Sequence, residues 1–248
     1  MRLDVVLTPG EISQTEVSGR AAVVIDVLRA SSCIVEALSA GAKAIYPVGS
    51  IDEALRLANT FGRDEVLLTG ERRCLRIEGF DLGNSPREYT AERVAGKTLV
   101  MTTTNGTHAL SLAGGAARVF IGALLNLEAI VEELVRTEAD PVLVCSGRER
   151  RLALEDAVCA GAMAARLIER RPGAWQLNDG ALAALALTER FGIGEDLFAR
   201  TAAGQAIAEA GLAEDLAFCA QTDRHPLLPV LQNRNITLVA PTAAVSTP

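Results

Sequence analysis

Short β-branched runs alternate with amphipathic segments from residue 21 to residue 170, and no other feature limits the fold as much. Residues 21–27 (AAVVIDV), 44–48, 65–69, 97–102, 118–122 and 141–145 read as strands. Residues 31–40, 51–60, 106–113, 127–136 and 153–170 read as the helices between them. Ser50 is a good N-cap for the second helix, and Ala30, Ser31 or Ser32 would cap the first. Strands and helices in alternation imply an α/β fold, layered α/β/α around a mainly parallel or mixed sheet. After Pro172 the chain becomes Ala-rich and helical over 179–190, 194–203 and 205–210. Late short strands are expected at 215–220 and 235–239, and the last residues, PTAAVSTP, read as a frayed tail. With no repeat and no long linker, residues 1–248 are expected to form a single compact domain with a helical C-terminal part, subdivided at most near residue 172.

A chain of 248 residues can bury a full core without disulfides or a structural metal. Aromatics are only 4%, so Ala, Val, Leu and Ile must build that core. A formal net charge of -7 argues against a general grip on nucleic acid, which needs a basic surface. A small anionic ligand is compatible with that charge if Arg side chains, helix N-termini or a cation meet it locally. Cys33, Cys74, Cys145, Cys159 and Cys219 are odd in number, with no C-x-x-C pair. The N-terminus MRLDVVLTPGE has no signal-type apolar stretch, and no run approaches the roughly 18 apolar residues of a membrane span. The chain therefore reads as a reduced cytoplasmic protein with mostly buried thiols and no membrane partner.

In open α/β sheets ligands bind beyond the C-terminal ends of the strands. Here those ends carry Asp26 and LRASS, then Gly70-Glu71-Arg72, then TTTNGT (Thr102–Thr107), then Ser146-Gly147-Arg148. TTTNGT sets hydroxyls, an amide and a glycine before a helix, which suits either an anion cradle or a well-capped helix. An Asp inside an apolar strand end is costly unless paired or metal-bound. Asp26 is thus either one half of an ion pair with Arg29 or a metal or water ligand beside an anion clamp. The stretch Gly79–Tyr89 (GFDLGNSPREY) reads as a structured loop bearing Asp81, Asn84 and Arg87, either an active-site loop or a solvated turn. Glu155 and Asp156 open the long helix, where acids are favoured by the dipole alone but could also serve a hard cation. With two His and neither H-E-x-x-H nor G-x-S-x-G, a hydrolytic triad has little support. A nucleophilic Cys145 lacks a dedicated base. Asp179, Asp215 and Asp223 are lone acids that each say little.

Taken in order, IDVLRASS, LLTGER, GFDLGNSPREY, TTTNGTHAL, VCSGR, LEDAVCAG and DLAFCAQTD resemble the 2-phosphosulfolactate phosphatase family. The likeness spans residues 26–229 and implies an α/β fold distinct from haloacid-dehalogenase phosphatases. It implies Mg²⁺-dependent hydrolysis of (R)-2-phospho-3-sulfolactate to 3-sulfolactate and phosphate, in coenzyme M or related metabolism. A phosphatase for another 2-phospho-hydroxy acid and a non-catalytic anion-binding module are the alternatives. The catalytic set expected from chemistry and resemblance together is Asp26, Arg29, Glu71 and Asp81. Phosphate or sulfonate would be held by Ser31, Ser32, Arg72, Asn84, Ser85, Thr103, Thr104, Asn105, Gly106 and Thr107. Mg²⁺ would be held by Asp26, Asp81, Glu155 and Asp156. The expected partner is a small anionic phosphoester, with no nucleic acid or membrane, and the expected assembly is a homo-oligomer. Two departures stand out: Arg73-Cys74 follows Gly-Glu-Arg where a smaller, Gly-containing turn is expected, and Ser31-Ser32-Cys33 replaces a Thr-richer stretch.

Overall fold

The structure is a computed structural model and describes residues 1–239. In chain order the elements are β1 (Arg2–Val6), α1 (Gln14–Val17), β2 (Ala21–Ile25), α2 (Ala30–Ser39), β3 (Ala44–Pro47), α3 (Ile51–Ala58), β4 (Val66–Arg72) and β5 (Leu75–Arg76). They continue with α4 (Ala91–Val94), β6 (Thr98–Thr102), α5 (Gly106–Leu112), β7 (Arg118–Gly122), α6 (Leu127–Arg136), β8 (Pro141–Cys145) and α7 (Leu154–Arg170). The last are β9 (Gln176–Leu177), α8 (Asp179–Phe191), α9 (Glu195–Phe198), α10 (Ala202–Glu209), α11 (Glu214–Cys219), β10 (Pro229–Gln232) and β11 (Asn235–Leu238). Short 3₁₀ turns join several of them, including Pro86–Glu88. No helix among the described residues is long and apolar enough to cross a membrane.

The strands form one mixed, mostly parallel sheet in the order β5-β4-β6-β3-β11-β10-β7-β2-β8-β1-β9. Two runs of parallel strands, β4-β6-β3 and β7-β2-β8-β1-β9, are joined by the antiparallel hairpin β10–β11. Helices cover both faces, so every residue of β2, β6 and β8 is buried, and β2 and β8 are continuously apolar rather than alternating. Period-two side-chain direction divides the core. Val23, Ile25, Leu143 and Cys145 join one cluster with α6, α7 and α8. Ala22, Val24, Val142 and Val144 join a second cluster with α2 and α5.

Caps fix several boundaries. Ser50 Oγ accepts the Glu53 N–H at 3.1 Å and starts α3 as expected. Asn178 accepts the Ala181 N–H to open α8, and its amide also exchanges hydrogen bonds with Val5 N–H and C=O, extending the β1 edge. The expected strand at 215–220 is instead the helix α11, with Leu216 and Cys219 three apart on its buried side. The expected helix 194–203 ends after one turn, because Thr201 becomes the N-cap of α10 and accepts the Gly204 N–H. The residue before α2 is Arg29, with no side-chain cap, so Ser31 and Ser32 lie inside the helix. Strands β1, β5, β9 and β10 have no counterpart in the sequence reading, and the tail from Pro241 lies outside the described residues.

α8 packs on α7 where Gly161 leaves space; a Cβ there would collide with Ala184 C=O and Thr188 Oγ. The Thr188 hydroxyl donates to the Val158 carbonyl at 2.9 Å across the same contact. Gly161→Val is expected to lower stability by about 1–3 kcal/mol through overpacking. Gly114→Ala, whose Cβ meets nothing within 4 Å, is expected to stay within about 0.5 kcal/mol of the parent. Denaturant midpoints of the two variants check both.

Candidate active site

At the C-terminal ends of β2, β4 and β6 the loops enclose a cleft of about 720 Å³. Its walls carry Asp26, Arg29, Glu71, Arg72, Asn84, Thr103, Thr104 and Asn105, with Arg148 and Glu149 beyond β8 and part of α10 closing one side. The β2–α2 turn is self-bonded: Asp26 N–H donates to Ser31 Oγ at 3.0 Å, and Ser31 N–H donates back to Asp26 C=O at 2.9 Å. Ser32 Oγ donates to Val27 C=O at 2.8 Å. Both serines are buried and satisfy backbone groups that would otherwise be unpaired. They staple the turn.

Glu71 is the second organiser. Its Oε1 accepts both the N–H and the hydroxyl of Thr104, at 2.9 and 2.8 Å, and its Oε2 accepts Cys74 N–H at 2.9 Å. One carboxylate thereby fixes the TTTNGT loop and the tip of the β4–β5 hairpin. Arg73 and Cys74 form that two-residue tip at φ 52° and 67°, left-handed values that L-residues adopt at some cost. The tip is held by Glu71 and by Arg29, whose Nη2 donates to Cys74 C=O at 3.0 Å. Arg72 bonds the Thr102 hydroxyl at 3.1 Å and its neighbour's carbonyl. Within TTTNGT, Thr103 Oγ accepts Thr107 N–H at 3.3 Å, Thr107 Oγ donates to Thr103 C=O at 3.0 Å, and Asn105 Oδ1 accepts Glu149 N–H at 3.2 Å. These side chains mainly shape the loop. Gly106 is required at its bend, since a Cβ would sit 2.8 Å from Asp26 Oδ2 and 2.7 Å from the Ala30 methyl.

The acids crowd one another. Burial, with Glu71 and Glu155 adding repulsion, pushes the Asp26 carboxyl up to about 7, against the Ala30 N–H and Arg29. Burial also raises Glu155, opposed in part by Arg148. Asp156 is raised well above the carboxylate range by burial, Asp26 and Glu155, although its oxygens accept Val27 N–H at 2.8 Å and Gly147 N–H at 3.0 Å. Asp156 thus brackets the loops after β2 and β8. Asp81 does not join this group: it is exposed, and its carboxylate accepts Leu68 N–H at 2.8 Å, closing its own loop. Among the described residues no three acids, histidines or cysteines converge as a preassembled metal cage. Cys145 is fully buried with its thiol raised well above the usual range, which leaves it no nucleophilic role.

Arg29 is paired differently from the sequence expectation. Its Nη1 donates to Asp215 Oδ2 at 2.7 Å, and both side chains are almost wholly buried. Ser85 donates to the other Asp215 oxygen at 2.7 Å, so Ser85 is bound to protein rather than open to an anion. Its neighbour Asn84 lines the cleft with a buried Oδ1 that has no partner. Asp215 and Arg148 were not singled out by spacing. The available signal for Asp215 was an acid among Leu216, Phe218 and Cys219, on the apolar side of a helix.

A family model described as 2-phosphosulpholactate phosphatase matches residues 6–234. A protein of Symbiobacterium thermophilum named probable 2-phosphosulfolactate phosphatase is 42% identical over 226 residues, covering 90% of this chain and 96% of its own length. Proteins with the same name from Caldanaerobacter subterraneus and Clostridium acetobutylicum are each 38% identical, covering 91% and 95% of this chain and 93% and 100% of their own lengths. A match of this extent, on a chain whose strand ends gather acids and arginines around one cleft, places the protein in the 2-phosphosulpholactate phosphatase family of phosphoric monoester hydrolases.

Proposed function

We propose that the protein is a Mg²⁺-dependent phosphatase that hydrolyses (R)-2-phospho-3-sulfolactate to 3-sulfolactate and phosphate. The observation that carries this reading is Asp26, buried beside Glu71 and Glu155 in a cleft whose walls also bear Arg29, Arg72, Arg73 and Arg148. Such a cleft suits a small, multiply charged anion. The relatives named as 2-phosphosulfolactate phosphatases support the same substrate.

The donor set fits a hard cation. Mg²⁺ is commonly held by one or two carboxylates with waters and substrate oxygens, so it needs no preassembled cage. Asp26, with Glu155, would hold it. Asp156 is committed to backbone N–H groups and Asp81 lies elsewhere. When bound, Mg²⁺ supplies positive charge against the acids and the phosphoryl oxygens. Arg72, Arg73 and Arg148 draw in the phosphate, carboxylate and sulfonate by charge. Arg29, clamped on two sides, offers its remaining N–H groups in a fixed direction. Hydrolysis forms a bond from water oxygen to phosphorus, breaks the bond from phosphorus to the ester oxygen, and delivers a proton to the departing sulfolactate. Charge stabilisation in this walled cleft supplies most of the rate.

Phosphate release from racemic 2-phospho-3-sulfolactate should require Mg²⁺ and stop with EDTA, with phospholactate and phosphoglycolate turned over more slowly. Release with another ester preferred would reassign the substrate, and tight binding without release would make the protein an anion-binding module. Asp26→Asn should lower kcat by about 100-fold or more. It also has a signature in stability. A carboxyl raised from 3.8 to about 7 keeps its proton when the unfolded chain has lost it, so the contribution of Asp26 to metal-free stability is complete below about pH 4 and is lost as pH rises through about 7. Metal-free Asp26→Asn should therefore melt above the parent at pH 8, with the gap closing towards pH 4. A gap independent of pH would show that Asp26 is not held at a raised value. Arg73→Gly removes a cation and suits the left-handed turn. It should melt no lower than the parent while KM rises several-fold, and an unchanged KM would remove Arg73 from substrate binding.

A further inference from the structure

We infer that Asp215 is a positioning residue, which aims Arg29 and the Asn84–Ser85 loop at the substrate from the C-terminal helix α11. The inference deepens the phosphatase reading and rests on it. Asp215 is completely buried and its carboxylate has two clients. Oδ2 takes Arg29 Nη1 at 2.7 Å, and Oδ1 takes the Ser85 hydroxyl at 2.7 Å. The other terminal nitrogen of Arg29 is anchored at 3.0 Å on the Cys74 carbonyl. Acceptors on both terminal nitrogens fix the plane of the guanidinium, and three of its five N–H groups stay free of these two bonds. Arg29 and Asp26 share the wall of the cleft.

Ser85 carries the second arm. With its hydroxyl tied to Asp215, the preceding residue is held against the cleft. Asn84 is 5% exposed, and its Oδ1 is buried with no hydrogen-bond partner among the described residues. A buried amide oxygen without a partner is costly, so this group is kept for something the protein itself does not supply. A fully buried ion pair is a weak source of stability, because apolar side chains of similar volume often do as well or better. What such a pair does provide is direction. Here it sets a guanidinium and an amide on one side of the cleft from a single carboxylate, more than 120 residues away in sequence from both clients.

The test is a mutant cycle on the full chain, with melting temperature recorded for every variant. Asp215→Asn should lower kcat on 2-phospho-3-sulfolactate by about 30- to 100-fold, with KM changed less. Adding Asp215→Asn to an Arg29→Gln/Ser85→Ala background should lower kcat by less than about threefold further, since both groups that Asp215 holds are then gone. A folded Asp215→Asn with kcat within threefold of the parent would overturn the inference, as would an equal loss in both backgrounds, the mark of a merely structural acid. Should Asp215→Asn fail to fold, Asp215→Glu replaces it in the same cycle. It keeps the charge but displaces it by one methylene, and the same two outcomes decide. Parent protein without activity on the phosphosulfolactate would count against the phosphatase reading instead. Calorimetry with inorganic phosphate then tests Asp215 alone: at least tenfold weaker binding by Asp215→Asn supports positioning, and equal binding overturns it.

Discussion

Between the loop after β6 and the end of β2 there is no room for a methyl group. Asp26 Oδ2 and the Ala30 methyl already occupy the space a side chain at Gly106 would need. In the sheet, β6 and β2 are separated by β3, β11, β10 and β7. Five strand-to-strand steps would put them about 24 Å apart if the sheet were flat. The loop of residues 103–105 and α5 carry the chain across that distance, and α5 packs against β2. Ala109 and Leu110 of α5 lie in the same cluster as Val24 and Met101. The cleft lies between the two runs: Glu71 and Thr104 come from one run, Asp26 and Arg148 from the other.

Carboxylates do much of the joining. Asp156 ties the loops after β2 and β8, Glu71 ties the hairpin to the TTTNGT loop, and Asp215 ties α11 to Arg29 and Ser85. Each bonds groups that would otherwise be buried unpaired, which in the interior costs more than the bond itself contributes. Asp26 is different: a long 3.3 Å bond from Ala30 N–H to its Oδ1 and the charge of Arg29 only partly offset its burial beside Glu71 and Glu155. Three bracketed acids beside one poorly compensated acid separate the framework of the cleft from its chemistry.

Much of this was legible in the sequence. Continuous apolar runs such as AAVVI and PVLVC, β-branched and bounded by turn residues, read as strands covered on both faces, and α6, β7 and β8 fall where periodicity placed them. The strand-end rule brought attention to Asp26, Glu71 and the TTTNGT loop, and all line the cleft. What stayed hidden depends on tertiary neighbours. LAFC fits a strand or a buried helix equally until Asp215 finds Arg29. The backbone bonds of Ser31 and Ser32, and the Leu68 N–H that Asp81 accepts, are likewise set by how the turn and the loop fold. The short hairpin β10–β11 carries little periodicity of its own, and its place is dictated by the exposed edges of β3 and β7.

That hairpin has a consequence for synthesis on the ribosome. Every other strand is translated before residue 229, yet β3 and β7 have no neighbour on their facing edges until Pro229–Leu238 arrives. A nascent chain can form either parallel run early, with its helices, but the two runs are joined into one sheet only by β10 and β11, the last strands among the described residues to leave the exit tunnel. The cleft between the runs is therefore a late product of elongation. Until then two open strand edges wait on one incomplete chain, the condition in which strand pairing between neighbouring nascent copies competes with correct closure.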